Sequence, residues 1–413
     1  MSEKTTLQNG ENNVRKYSTM MTIICGFMLS MGAIHMDTIN WILPTIAKEL
    51  ASGNSTLMVT SGFFYGMMIG HLLVGPISDM IGKKKTMLLG FVICIVGAVI
   101  GANSHALGGL SAARLIQGFG GAATSNAARA TGGAAGKGKA SAMALTFMQV
   151  FSGAIPIILP LSGKWVGNAF GWAAIFWLQA IICGVLCILM LIFVEETSTT
   201  SGKGCFQRMG VEIKSCLLTP EYVLFTLCFA FNMALFFCYA GSASFAMVTE
   251  LGMDNGAYAN MYAINAATMV VGASLGRVLS QRVAPGTLVR SLNVLQLVFA
   301  AFISIMFMTG SATWQMLQFV WWVFPFIQGI TLPVAMSLVM NASGKTTGTG
   351  AAFMGFVQYL FSSITTTMLA SIKETGSVGG TIGWLMAACA VLSFITCTLG
   401  VNILKKKDPD AVG

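Results

Sequence analysis

The chain has 413 residues, of which 55% are hydrophobic and 9% charged, with a net charge of +9 and a mean hydropathy of +0.77. A soluble domain carries roughly 25% charged residues, so this composition excludes the soluble globular class and points to a membrane protein. The positive balance does not indicate nucleic acid, because the basic residues sit in short stretches between long apolar runs.

Residues 1–17 are polar and contain no apolar core flanked by a basic region and a cleavage site, so no cleaved signal peptide is expected. A bilayer core takes about 20 apolar residues per helix. Twelve such segments follow, centred near Met31, Met67, Gly97, Gly118, Ala154, Leu186, Ala234, Met269, Phe302, Phe326, Ser362 and Ala390. The expectation is therefore an all-α integral membrane fold. Prolines interrupt segments five (Pro156, Pro160) and ten (Pro325, Pro333), which membrane helices tolerate as bends. The polar stretch 195–220 separates two six-helix sets, 18–194 and 221–404, with short tails at 1–17 and 405–413. With the N-terminus inside, 19 of the 23 Lys and Arg fall on the cytoplasmic side. Lys48, Lys164 and Lys373 fall on the other side, and Arg114 lies within segment four. The positive-inside rule then puts the linker and both tails in the cytoplasm. Phe147-Met148-Gln149 in segment five is echoed by Phe356-Val357-Gln358 in segment eleven, as an internal repeat of six helices requires.

Asp37 lies inside the first segment, in Ile34-His35-Met36-Asp37-Thr38-Ile39-Asn40-Trp41-Ile42-Leu43-Pro44. The other acids fall at segment ends or in loops. A carboxylate in hydrocarbon is costly, which makes Asp37 a functional candidate by default. Arg114 in segment four needs a counter-charge or several acceptors. At 1.5 Å per residue, counted from Pro44 and from Ala106, both lie roughly 10–12 Å below the outer surface. An Asp37–Arg114 interaction, direct or through water, is expected.

Segments two and three are joined by Gly75-Pro76-Ile77-Ser78-Asp79-Met80-Ile81-Gly82-Lys83-Lys84-Lys85. Gly75 and Pro76 suggest a tight exit from the helix. Asp79 is placed to pair with a cation or cap a neighbouring helix N-terminus. Polar and aromatic residues at mid-segment are candidates for a cavity lining: Asn40, Tyr65, Gln117, Gln149, Asn232, Tyr239, Asn265, Trp321, Gln328 and Gln358, each weighed against a plain interhelical hydrogen bond. His35, His71 and His105 do not cluster in sequence, so no metal site is expected. The ten cysteines read as small packing residues. Glycine pairs such as Gly132-Gly133 lack the strand–loop–Lys setting of a phosphate loop, which excludes an ATPase. No nucleophile–base constellation marks an enzyme.

The loop from Gly75 to Lys85 resembles the signature loop of the major facilitator superfamily, where it is associated with locking and releasing the outward-facing state. Met80 stands where that family usually has Arg. Arg114-Leu115-Ile116-Gln117-Gly118 resembles the R-x-x-Q-G motif of its proton-coupled exporters. The helix-five pattern of Gly153, Pro156, Pro160 and Gly163, followed by Trp165 and Trp172-Ala173-Ala174-Ile175-Phe176-Trp177, looks like the Bcr/CflA family of twelve-helix drug:proton antiporters. Asp37 followed by Pro44, Ile46-Ala47 and Leu50 is similar to that family's D-x-Y-L-P-x-L-P-x-I-A-x-x-L segment, with Ile39 and Trp41 in place of its Tyr and first Pro.

The resemblance implies a major-facilitator fold of twelve transmembrane helices in two six-helix bundles, in the inner membrane. It implies efflux of amphipathic drugs or toxic compounds by alternating access, with Asp37 and Arg114 in proton coupling and Gly75, Asp79, Gly82, Lys83 and Lys84 in a gating loop. The implied partners are an amphipathic small molecule and the bilayer, acting on a monomer with no nucleic acid and no cofactor beyond a proton gradient. The alternative expectation is a proton-coupled transporter of one small metabolite or siderophore.

Overall fold

In the computed structural model, residues 19–133, 139–196, 204–344, 347–372 and 377–407 are described. The first apolar segment is not one straight helix. It runs as α1 (Thr19–Leu29), α2 (Met31–Asp37), a 3-10 turn at Asn40–Ile42 and α3 (Leu43–Glu49). The first break follows from Ser30, whose hydroxyl donates to the Gly26 carbonyl at 3.1 Å and competes with the helix ladder. The pieces around it bend by 47°. The second break follows Asp37, where Thr38 Oγ1 donates to the Ile34 carbonyl at 2.8 Å. Pro44 sits in the first turn of α3, where its missing N–H costs no helix bond. The helical run therefore continues past Pro44 to Glu49, beyond the outer end expected for segment one.

The chain continues through α4 (Met58–Ile81), α5 (Lys83–Ala102), α6 (Leu107–Gly133), α7 (Lys139–Phe170) and α8 (Trp172–Phe193). After the polar stretch come α9 (Cys205–Leu217), α10 (Pro220–Ser244) with a π turn at Phe245–Glu250, α11 (Asn255–Leu279), α12 (Pro285–Met308), α13 (Trp314–Ala342), α14 (Thr347–Ala370) and α15 (Val378–Lys407). Among the described residues, eight helices are long and apolar enough to cross a membrane, or nine if the bent first pair counts as one span. The long helices α6, α7 and α14 pack with them but are richer in Gly, Ala, Ser and Thr. Large apolar side chains such as Trp165, Ile181, Ile192 and Val298 are exposed on the outer surface, as lipid contact requires.

Glycines set the closest helix crossings. Gly62, Gly66 and Gly70 recur every fourth residue on α4 and face the backbone of α6 around Ser111, Leu115 and Phe119. The second half repeats this device, with Gly272 of α11 against Phe326 and Gly329 of α13 against Met269. Small residues let the backbones approach, which is how helices associate where no hydrophobic force acts between them. The two halves also repeat a terminal contact. Glu49, closing the first span, accepts from Trp172 Nε1 at 2.5 Å at the start of α8. Glu250, closing the π turn after α10, accepts from Ser377 Oγ at 3.0 Å and from the backbone N–H groups of Val378 and Gly379 at the start of α15.

Two elements differ from the sequence expectation. Gly75 and Pro76 do not end the helix, because α4 runs through both to Ile81 and the turn is made at Gly82, with φ +97°. Pro76 is tolerated inside a helix buried among neighbours, whereas the left-handed φ needs glycine. The 195–220 linker is not all loop either. It contains the 13-residue α9, which packs against α4 and α14 and whose Glu212 accepts from Thr349 Oγ1. The tail at 1–17, linker residues 197–203 and residues 408–413 lie outside the described residues.

Candidate functional site

The break after Asp37 builds the site. A helix end leaves carbonyls without intrahelical partners, and the end of α2 lies deep in the bundle, away from water. Arg114 of α6 supplies the partner: its Nη1 donates to the His35 carbonyl at 2.7 Å. A cation at a helix C-terminus is also favoured by the helix dipole. Nη1 further donates to Gln117 Oε1 at 3.1 Å, and the guanidinium stacks 4.6 Å from the Phe63 ring centroid. Arg114 is fully buried, and its Nε and Nη2 have no hydrogen-bond partner among the described residues.

The polar chain extends from there. Gln117 Nε2 donates to Gln179 Oε1 at 2.8 Å. Gln179 Nε2 donates to Thr38 Oγ1 at 2.6 Å and to the His35 carbonyl at 3.3 Å. Arg114, Gln117, Gln179 and Thr38 thus stitch α6 and α8 to the broken first span.

Asp37 faces the other way. No ion pair joins it to Arg114, so the direct form of the expected contact is corrected. The reason is the helix end: Arg114 is held by the His35 carbonyl and Gln117 Oε1, while the last side chain of α2 turns toward the second half. There Asp37 Oδ1 accepts from Tyr262 of α11 at 3.0 Å. Asp37 is buried, and Tyr258, one turn before Tyr262, carries a buried hydroxyl with no partner among the described residues. Gly163 of α7 closes this corner. A Cβ on Gly163 would stand 2.5 Å from the Thr38 carbonyl, so α7 crosses the first span only because this residue is glycine.

The Asp37–Tyr262 bond belongs to a row of contacts between the halves. Asn40 Nδ2 donates to the Ala240 carbonyl at 3.2 Å, and Asn255 Nδ2 to Thr45 Oγ1 at 3.0 Å. Lys164 Nζ donates to the Gly256 carbonyl at 3.0 Å and to Asn260 Oδ1 at 3.3 Å. Asn54 Nδ2 reaches the Ile372 carbonyl at 3.4 Å, and Tyr65 pairs with Thr367 at 3.3 Å. All lie toward the end of the bundle that carries Glu49 and Lys164. Deeper along the same seam, the His71 ring lies 5.2 Å from that of Tyr359 and presses on Gly355. That end of the molecule is closed.

At the opposite end, residues from the Gly75–Lys85 stretch tie three helix termini. Glu196 accepts from the backbone N–H of Lys83 at 3.0 Å and of Lys84 at 3.1 Å, at the N-terminus of α5. Lys83 Nζ donates to the Ala130 carbonyl at 3.2 Å and Lys84 Nζ to the Leu191 carbonyl at 3.0 Å, in the last turns of α6 and α8. Each charge meets the helix end of opposite polarity. Glu196 therefore holds the capping position expected of Asp79, which is exposed and reached by no hydrogen bond or ion pair among the described residues. Gly75 meets nothing within 4 Å of an added Cβ.

The candidate lining residues separate into three groups. Asn40 and Tyr65 lie on the seam. Gln117, Asn232 and Gln328 form hydrogen bonds inside one half or the other: Asn232 Nδ2 donates to Ser393 Oγ at 2.5 Å, and Gln328 Nε2 to the Asn232 carbonyl at 3.2 Å. Tyr239, Asn265 and Trp321 form an aromatic and amide cluster, with Tyr239 and Asn265 bonded through their side chains and the Tyr239 and Trp321 rings 5.5 Å apart. Gln358 is buried on α14. Pro156 and Pro160 lie inside α7. The side chains of Gln149 and Gly153 lie outside the described residues. Gln179, Tyr262 and Glu196 were missed by the sequence reading. Only Gln179 left a signal, as a lone amide in an apolar span.

Comparison with known proteins places this geometry. The family model "Major Facilitator Superfamily" matches residues 20–366. The chain is 24% identical to a "Bicyclomycin resistance protein homolog" of Haemophilus influenzae over 89% of this chain and 94% of that protein. It is 25% identical to "Multidrug resistance protein MdtL" of Klebsiella pneumoniae over 90% and 94%. It is 23% identical to "Uncharacterized MFS-type transporter YdgK" of Bacillus subtilis over 94% and 97%. A solved structure, "Crystal structure of D-xylose-proton symporter", superposes with a TM-score of 0.69 at 14% identity, covering 92% of this chain and 95% of that one.

Proposed function

The chain belongs to the Major Facilitator Superfamily, a family of multi-pass membrane transporters of small molecules, and on that footing we propose that it exports amphipathic toxic compounds in exchange for protons. The observation that carries the proposal is the buried Asp37 carboxylate held across the seam by Tyr262. A carboxylate that bonds the opposite half only while one end is closed links its protonation to the closure of that end. Protonation removes the charge that Tyr262 serves, and charged hydrogen bonds are roughly twice as strong as neutral ones. Proton arrival would loosen the seam, and proton loss toward the lysine-rich end would restore it.

Arg114 acts differently in this scheme. It fixes the carbonyl end of α2 and so sets where Asp37 points. Relatives named for bicyclomycin and multidrug resistance support an amphipathic drug as cargo. Counting α6, α7 and α14 as spans gives the expected twelve, as two six-helix bundles over 18–194 and 221–404. The lysine-rich end and both tails then lie in the cytoplasm, and the protein works as a monomer in the inner membrane.

The test is substrate-induced pH change in proteoliposomes, run against a panel of drugs, siderophores and small metabolites. Asp37→Asn serves as the control. Drug-driven proton movement that vanishes in Asp37→Asn is the expected result. Unchanged exchange in that variant would sink the proton role, and a response to one metabolite alone would replace drug export by the narrower transport reading.

A further inference from the structure

Three side chains that the transport scheme does not use meet inside the first half. His35 on α2, Cys94 on α5 and Cys183 on α8 are each 0% exposed, and their ring nitrogen and sulfur atoms all lie within 4.8 Å of one another. We propose that they form a site for a divalent thiophilic d10 cation, the class of zinc and cadmium.

The donor set is two soft sulfurs and one imidazole, the chemistry that selects such ions over magnesium or calcium. The spacing fits as well. Cys183 Sγ stands 3.7 Å from His35 Nε2. Metal bonds of about 2.3 Å to sulfur and 2.0–2.1 Å to nitrogen at a tetrahedral angle give an edge of roughly 3.5 Å. The imidazole is also oriented for the task. Gln179 Oε1 lies 3.4 Å from His35 Nδ1 and is itself held by Gln117, leaving Nε2 to face the sulfurs. Metal-binding histidines have their second nitrogen fixed in this way.

Charge selects the valence. Two thiolates and a divalent cation sum to zero, so the bound site puts no net charge into the apolar interior, whereas a monovalent ion leaves one negative charge there. Without the ion, the Cys94 thiol donates to the Gln117 carbonyl at 3.7 Å. Binding replaces both S–H bonds by S–metal bonds and releases two protons to solvent. Cys187, one turn beyond Cys183 on α8, is a partly buried free thiol. A bound ion would tie α2, α5 and α8 together beside the break in the first span.

The test is cadmium titration of the purified full chain in detergent, read by thiolate-to-cadmium charge-transfer absorption. One ion per chain, with the intensity of two thiolates, is the expected wild-type result. Cys94→Ala and Cys183→Ala should each weaken binding by about tenfold or more, and Gln179→Leu, which keeps all three donors, by about 10–100-fold. Replacing Cys228 and Cys397 of the second half by Ala should change nothing. Cadmium affinity unchanged in a monodisperse Cys94→Ala protein overturns the site, as does its loss in the second-half double variant. Should the buried alanines prevent folding, the wild-type spectrum decides alone, since absorption of fewer than two thiolates per ion also overturns it.

Discussion

The two halves solve the same packing problem with different chemistry. Each buries a polar cluster where its first span meets its last. In the second half the cluster is neutral: Ser393 Oγ receives Asn232 Nδ2 at 2.5 Å and Asn293 Nδ2 at 2.9 Å, with the Cys228 carbonyl 3.2 Å away. In the first half the corresponding cluster contains the Arg114 cation and opens onto the Asp37 carboxylate. Both halves share the glycine crossings and the glutamate contacts at Glu49 and Glu250. Among the described residues, the charges sit at this junction in the first half alone, since the second half's ion pair, Lys407–Glu221, lies at the helix ends. The polar cluster of the second half thus shows that such a junction packs without an arginine or an aspartate.

The largest test of this contrast is Asp37→Asn. Asparagine keeps the size and a hydrogen-bond acceptor for Tyr262 but cannot give up a proton. Proton-driven transport should be abolished while membrane expression and melting temperature stay near wild type. A large loss of stability would instead make Asp37 a packing residue.

Arg114→Met comes next. It takes the Arg114 donor away from the buried His35 carbonyl and Gln117 Oε1, so the variant should lose about 1–3 kcal/mol of stability together with most transport. Full activity would remove Arg114 from the mechanism.

Tyr262→Phe removes one bond to a charged acceptor, worth roughly 1.5–3 kcal/mol to the closed seam. Hydrogen exchange over residues 37–45 and 255–262 should rise by about tenfold or more, since 1.4 kcal/mol is a factor of ten. Unaltered exchange would show that Lys164 and Asn40 hold the end shut by themselves.

The smallest effect belongs to the neutral cluster. Asn293→Ala should cost about 1 kcal/mol of stability, the net worth of one hydrogen bond. Proton coupling should be unchanged. Coupling lost with Asn293 would erase the distinction between the halves.

How much of this was readable beforehand follows from the range of each interaction. Asp37 was visible because one carboxylate in an apolar run is anomalous on its own. Arg114 was visible for the same reason, but its partner was not. Backbone carbonyls become acceptors only where a helix stops, and the stop after Asp37 depends on Thr38 bonding back to Ile34. Tyr262 gave no local signal, because its meaning lies 225 residues away across the seam. Glu196 read as one loop acid among several until the chain folded its carboxylate onto the start of α5. The His35–Cys94–Cys183 group was hidden by spacing, since its members sit on the first, third and sixth spans.

The helix in the linker has a mechanical consequence. Thirteen residues of extended chain reach roughly 43 Å at about 3.3 Å each, but as helix α9 they span roughly 20 Å at 1.5 Å each. The tether between the halves is thus shortened by about half over that stretch. Under the proposed alternating access, it would act as a stay rod at the lysine-rich end, limiting how far the two bundles swing apart before α9 unwinds or leaves its seat on α4 and α14.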